Sequence, residues 1–237
     1  MNAIFDKTPA AEAQRPPYRL PWSYLGELVR DGITPIRAIS DVAIRDMLPY
    51  LCGPGAIYEL GAASDYYRRM APKGQRYVLT NIDASAEQRV DMTDMALPDN
   101  SVDAFFTAFA LEHIHEYRKA ISEMRRTLKP GGRMLIVVPF LYYFHGAPDD
   151  YVRFTTSYMR SLLSGMKLHR LFGLGTRALL VAEMFHEKPF TQQDSSPPLR
   201  FLYRMFAAFC TATYMARPRW DAVFPSAVVV LAEKPLE

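Results

Sequence analysis

Leu97-Pro98-Asp99-Asn100-Ser101-Val102-Asp103-Ala104-Phe105-Phe106-Thr107-Ala108-Phe109, read on to Leu128-Lys129-Pro130-Gly131-Gly132-Arg133-Met134-Leu135-Ile136-Val137-Val138-Pro139, decides the fold. Two apolar runs, 102–109 and 133–139, lack strict polar alternation. They read as strands buried on both faces of a parallel sheet. Between them, from about Glu116 to Leu128, Tyr117, Ile121, Met124 and Leu128 fall on one helical face. Arg125, Arg126 and Lys129 lie at the negative C-terminal end of that helix, where cations are favoured. Pro130-Gly131-Gly132 then stops the helix and turns the chain. Strand, helix, strand predicts right-handed crossovers and a doubly wound α/β sheet.

Working outward, Ala56–Leu60, Tyr77–Ile82, Leu168–Gly173 and Ala227–Ala232 are further strand candidates, giving a mostly parallel, seven-stranded arrangement with helices between the strands. Residues 22–51 read as helical, because Ile36, Ile39, Ala43, Met47 and Leu51 make one apolar face. Thr34-Pro35 supplies an N-cap and a first-turn proline. A short helix is expected near Thr155–Leu163 and a loop over 185–198. An apolar helix over 199–216 carries Phe201, Leu202, Met205, Phe206 and Phe209 on one side. Residues 1–21, polar and rich in Ala and Pro, read as a loose arm. One domain then covers 22–237, with an N-terminal helical extension and a helical insertion at about 185–220, before the last strand.

Composition narrows the function. With 237 residues and 49% hydrophobic content, the chain can bury a sizeable core. The net charge of +3 is spread out, so nucleic acid is not an expected partner. Cys52 and Cys210, far apart, form neither a disulfide framework nor a zinc motif, and no metal is expected. No signal-peptide core or spanning segment is found, so a reducing cytoplasm is the default. The 199–216 helix is expected as core, lid or homodimer face rather than as a membrane-surface helix, although Arg200, Arg204 and Arg217 flank it.

Three segments carry chemistry. After the first strand comes Glu59-Leu60-Gly61-Ala62-Ala63-Ser64-Asp65-Tyr66, where small residues let the backbone approach a ligand at the strand ends. A plain tight turn would look similar. Asp83 stands 22 residues after Gly61, near the spacing of a carboxylate that accepts from two ribose hydroxyls. It also reads as a helix N-cap, with Ala84-Ser85-Ala86-Glu87 following. Asp94 could accept from an adenine amino group and Met95 lie against the ring, or both could sit in a solvated acidic loop.

Taken together, Leu97-Pro98-Asp99-Asn100-Ser101-Val102-Asp103, Leu111-Glu112-His113-Ile114 and Leu128-Lys129-Pro130-Gly131-Gly132, in that order, resemble the class I S-adenosylmethionine-dependent methyltransferases of the small-molecule type. The resemblance covers about residues 53–175. It implies a Rossmann-like fold and S-adenosylmethionine as cofactor, with Glu59 and Gly61 flanking its methionine portion and Asp83 holding the ribose. Asp94 and Met95 would hold the adenine, and Phe109, Ala110 and Leu111 line the site near the sulfonium. The family's Gly-x-Gly-x-Gly becomes Gly61-Ala62-Ala63-Ser64-Asp65 here. Ala63 adds a methyl, and Asp65 either faces the methionine ammonium or crowds its carboxylate.

The stretch His145–Thr155 is similar to a loop of such methyltransferases often associated with bacterial polysaccharide and sugar modification. It brings an imidazole, carboxylates, a guanidinium and aromatics above the strand ends. His145 is the candidate base, with Asp149 or Asp150 orienting it, and His113 is the second. Tyr142, Tyr151 and Arg153 are candidate substrate residues; for Arg153, an ion pair with Asp149 or Asp150 is the alternative. The reading is an enzyme that methylates a hydroxyl or amine of a small molecule or glycan. The rival is a catalytically silent binding or scaffold protein of the same fold. A nicotinamide dehydrogenase would need Gly-x-Gly-x-x-Gly, which is lacking.

Overall fold

The computed structural model describes residues 18–31, 33–83, 86–146, 149–186, 196–218 and 224–236. They fall into two compact units. One gathers the described residues of Met1–Ala43, Phe140–Tyr143 and Phe172–Ala227; the other gathers those of Ile44–Pro139, Phe144–Leu171 and Val228–Glu237.

The second unit holds nearly all of a seven-stranded sheet. Its strands are β1 (Ile57–Leu60), β2 (Tyr77–Asn81), β3 (Gln88–Arg89), β4 (Val102–Ala108), β5 (Leu128–Pro139), β6 (Lys167–Leu174) and β7 (Ala227–Glu233). Their order is β3-β2-β1-β4-β5-β7-β6. β1 pairs in parallel with β2 (Ile57 opposite Tyr77) and with β4 (Ile57 opposite Ala104). β7 runs antiparallel to β5: Gly131 N–H donates to Lys234 O at 2.8 Å, and Lys234 N–H donates to Gly132 O at 2.9 Å. The central strands are buried on both faces as expected, with Phe105, Phe106 and Met134 through Val138 fully inaccessible. Each such large side chain contributes about 1.5–3 kcal/mol by leaving water.

The helix between β4 and β5 is α3, Tyr117–Thr127, with Ile121 and Met124 buried. Pro130-Gly131-Gly132 does more than end it. Val102 pairs with Leu128 and Ala104 with Arg133, so Lys129–Gly132 bulges out inside β5 rather than preceding it. Gly131 adopts φ +76°, a left-handed conformation suited to glycine.

Other crossovers differ from the expected helices. β1 reaches β2 through a single 3₁₀ turn, Arg68–Met70, rather than an α-helix. The strand order reverses between β1 and β4, and the carboxyl ends of these two strands are where open α/β sheets hold ligands.

In the other unit, α1 (Tyr24–Asp31) precedes α2 (Pro35–Met47), which continues into the second unit. Thr34 caps α2, its hydroxyl accepting from Arg37 N–H at 3.3 Å. All of the expected face, Ile36, Ile39, Ala43, Met47 and Leu51, is buried. α4 (Thr156–Leu162) is the expected short helix, whereas α5 (Arg177–Met184) was not expected. α6 spans Pro197–Ala216. Its side formed by Phe201, Leu202, Met205, Phe206 and Phe209 is not core: these residues are 41–65% exposed, and Ala207, Cys210, Thr211, Tyr214 and Met215 are the buried ones. Of the arm, 1–17 lie outside the described residues, as does most of the 185–198 loop. Leu20 is buried, and the Tyr214 hydroxyl donates to Tyr18 O. Among the described residues, no helix is long and apolar enough to cross a membrane.

Candidate functional site

The site begins where β1 ends. Gly61 has φ +75°, and a Cβ placed there would come within 2.7 Å of Ala110 Cβ and 3.6 Å of Met92 Cε. The turn after β1 and the segment after β4 therefore meet closely at this one glycine. Ala62 N–H donates to Thr80 O at 2.9 Å, and Asn81 Nδ2 donates to Ala62 O at 3.0 Å, so the ends of β1 and β2 are tied together. Phe109, just past β4, also has a positive φ of 53°, a backbone state seldom adopted by a bulky residue; its N–H donates to Val137 O at 2.9 Å.

The residues implied by the resemblance divide into held and exposed groups. Glu59 is buried and accepts from the Tyr77 hydroxyl at 2.7 Å. Asp83 is exposed, and its carbonyl accepts from Ala86 N–H at 3.3 Å. The helix N-cap reading of Asp83 rests on Ala84 and Ser85, which lie outside the described residues; residues 88–89 form β3. Ala63 is exposed. Asp65 is paired with Arg69 one helical turn on, accepting from Nη2 at 2.8 Å and Nε at 3.0 Å. Its charge is thus already answered by a cation.

Asp94 is exposed, while Met95 is buried and clamped from α3. Met95 N–H donates to Glu123 Oε2 at 2.9 Å, and Arg126 Nη2 donates to Met95 O at 2.9 Å. Arg126 also donates to Leu97 O at 2.9 Å and pairs with Asp99. This residue, expected only to complement a helix dipole, holds the whole 95–99 loop.

Leu111 is fully buried and opens a 3₁₀ turn, Leu111–His113. Beside it, Glu112 is completely buried, and neither carboxylate oxygen accepts a hydrogen bond. Burial pushes its pKa up to about 8. His113 Nε2 and His145 Nε2 each lie 3.8 Å from Glu112 Oε1, and the two rings meet edge to face with centroids 4.9 Å apart. His113 Nδ1 is hydrogen-bonded to Asp149 O. His145 Nδ1 lies 3.2 Å from Asp150 Oδ2, which also accepts from His145 N–H at 3.0 Å. Arg153 forks onto Asp150 and, as the leading cause, lowers that carboxyl's pKa to about 2. Tyr151 N–H donates to Glu112 O at 2.8 Å, closing the loop over the cluster.

The two histidines and Asp150 are thus brought together as candidates for proton transfer. Asp149 contributes through its carbonyl, and its side chain accepts from the Tyr151 hydroxyl at 3.0 Å. Arg153 takes the ion-pair alternative, pinning the loop through Asp150. Tyr151 is exposed, with its ring edge-on to His115 at 5.2 Å. Tyr142 belongs to the other unit, where its hydroxyl donates to that of Tyr143 at 3.2 Å and burial raises its pKa. Glu112 was not among the candidate residues. Its only sequence signal is a Glu-His pair set directly after a buried strand, which does not reveal that the carboxylate turns inward.

Residues 52–136 match the family model described as a methyltransferase domain. The chain is 36% identical over 107 residues to the demethylmenaquinone methyltransferase of Clavibacter sepedonicus, covering 42% of this chain and 43% of that protein. It therefore spans less than half the length of the curated relatives it matches. Among solved structures, a SAM-dependent methyltransferase from Archaeoglobus fulgidus superposes with TM-score 0.56 at 15% identity, covering 90% of this chain and 100% of the other. Geranyl diphosphate C-methyltransferase from Streptomyces coelicolor A3(2) superposes with TM-score 0.56 at 13% identity, covering 92% and 90%. At these identities the superpositions speak for the fold alone.

Proposed function

We propose that the chain is a class I S-adenosylmethionine-dependent methyltransferase, on the match of residues 52–136 to the methyltransferase-domain family model, and that it methylates a small-molecule acceptor which gives up a proton in the reaction. The observation that carries this reading is the junction of Gly61 with Ala110, two residues before the buried Glu112. A glycine pressed to the floor of the strand ends leaves its backbone open to a ligand's polar tail. The proton-accepting groups begin immediately beyond it.

The residues fit the cofactor. A side chain at position 61 would collide with Ala110, so the turn after β1 keeps a bare backbone, and the exposed carboxylates of Asp83 and Asp94 suit the ribose hydroxyls and the adenine amino group. Bound there, S-adenosylmethionine supplies an electrophilic methyl group on a sulfonium sulfur. The chain's part is alignment and proton removal. The acceptor proton passes to His145 at Nε2, with Asp150 holding Nδ1–H and Arg153 holding Asp150. His113, oriented by Asp149 O, is the second acceptor.

The acceptor is a hydroxyl or amine of a small molecule or glycan, as the polar and aromatic 142–155 stretch suggests. A second acceptor class is an acidic ring carbon, favoured by the 36% identity to a demethylmenaquinone methyltransferase. Calorimetry with S-adenosylmethionine and its demethylated product tests the cofactor assignment, and absence of binding at millimolar concentration removes it. Transfer of labelled methyl to panels of hydroxylated glycans and of reduced naphthoquinones then separates the acceptors. Binding without transfer to any acceptor would favour the silent scaffold.

A further inference from the structure

We propose that Glu112, His113 and His145 form a binding site for one divalent transition-metal ion, of the zinc or iron(II) kind. One donor atom from each lies within 4.8 Å of the others, and each histidine Nε2 is 3.8 Å from Glu112 Oε1. Metal bonds of about 2.0–2.2 Å set neighbouring donors roughly 3.0–3.5 Å apart. The two histidine–Glu112 pairs need to close by only a few tenths of an ångström, and the three donors together, now within 4.8 Å, by about 1 Å at most.

The surroundings dictate which atoms face inward. Asp149 O offers only lone pairs, so His113 Nδ1 carries its proton and Nε2 presents the lone pair. The Asp150 carboxylate does the same for His145, and Arg153 fixes that carboxylate in turn. A carbonyl or carboxylate behind each imidazole is the arrangement that orients metal-binding histidines. The third donor, Glu112, is fully buried with no hydrogen bond to either oxygen, a costly state for a carboxylate in the absence of a cation. Two imidazoles with one carboxylate select a transition metal over magnesium or calcium, which prefer oxygen donors, and leave coordination positions open. A metal here would compete with the proton-acceptor role assigned above to His145 and His113, and its binding is tested without any methyl transfer. With a cation bound, the imidazoles are ligands rather than bases, and proton loss would fall to a group on the metal.

The test is titration of chelator-stripped full-length protein with Co²⁺, read by visible absorption and equilibrium dialysis, with no S-adenosylmethionine present. One equivalent is expected to bind with ligand-field bands and to be displaced by Zn²⁺. His113→Gln and His145→Gln are expected to abolish the bands. Asp150→Asn, which weakens the group orienting His145 and its pair with Arg153 but removes no metal donor, should weaken binding about 10- to 100-fold. Circular dichroism melts establish that each variant folds. Absence of ligand-field bands in the wild type, or binding that survives both histidine substitutions in folded proteins, overturns the proposal. The cluster then holds only a shared proton. Cofactor calorimetry is read separately, so either reading can fail without the other.

Discussion

Replacing Gly61 by alanine probes the closest contact in the site. Two separable penalties arise. At φ +75° an L-residue costs roughly 1–2 kcal/mol relative to glycine. The new Cβ would stand 2.7 Å from Ala110 Cβ. Carbon atoms prefer about 3.5–4.0 Å. Relieving that overlap in a packed region costs about 1–3 kcal/mol. The sum, about 2–5 kcal/mol, lowers the melting temperature of a chain this size by roughly 5–15 °C. Ala110→Gly should remove the second penalty and not the first. In a double-mutant cycle followed by urea unfolding, Gly61→Ala and Ala110→Gly are therefore expected to show a favourable coupling of about 1–3 kcal/mol. Calorimetry with demethylated cofactor should show weakened binding in Gly61→Ala that Ala110→Gly only partly restores, since the strain of an L-residue at positive φ still distorts the turn. Coupling below about 0.5 kcal/mol, the range of independent sites, would refute the claim that the two strand ends meet there.

Two further outcomes follow from the polar networks. Arg126→Met removes the donors that hold Met95 O and Leu97 O, at about 1–3 kcal/mol of stability, and should raise the cofactor's Kd severalfold; unchanged affinity would detach the 95–99 loop from the adenosyl site. Glu233 accepts from Arg133 Nε at 2.9 Å, with His169 also 3.0 Å away, and these contacts, Arg133 first, depress its pKa. A depressed carboxyl stabilises the fold above its unfolded pKa of 4.5, and that contribution is lost as pH falls below it. The stability gap between wild type and Glu233→Gln should thus shrink from pH 5 to pH 3; a constant gap in urea unfolding contradicts the assignment.

The fold was legible because buried parallel strands are written as short apolar blocks. Val102–Phe109 and Arg133–Pro139 could hardly be anything else, and α3 announced itself by its 3.6-residue period and basic end. What escaped was information held by contacts distant in sequence. Lys129–Gly132 read as a stop but is a bulge, because only the pairing of β5 with β4 and with Lys234 shows that the strand resumes beneath it. The two-residue β3 has no pattern long enough to detect, and the exposed face of α6 has the composition of a core face. In the site, Gly61 and the histidines were visible by residue type. Glu112 was not, since its meaning comes from its burial beside two imidazoles, one of them 33 residues away in the chain. Asp65 looked like a loss of glycine at the cofactor loop, yet Arg69 draws its carboxylate into a local pair.

The placement of β7 bears on how this chain assembles. The strand latest in sequence inserts between two earlier ones, so β6 has no neighbour on that side of the sheet until β7 arrives. During synthesis, nearly everything before residue 227 must wait with an unfilled slot whose walls bear open hydrogen-bonding groups. Such a slot invites pairing with a foreign strand. Cutting the chain ahead of Ala227 should therefore yield aggregates rather than a smaller soluble protein.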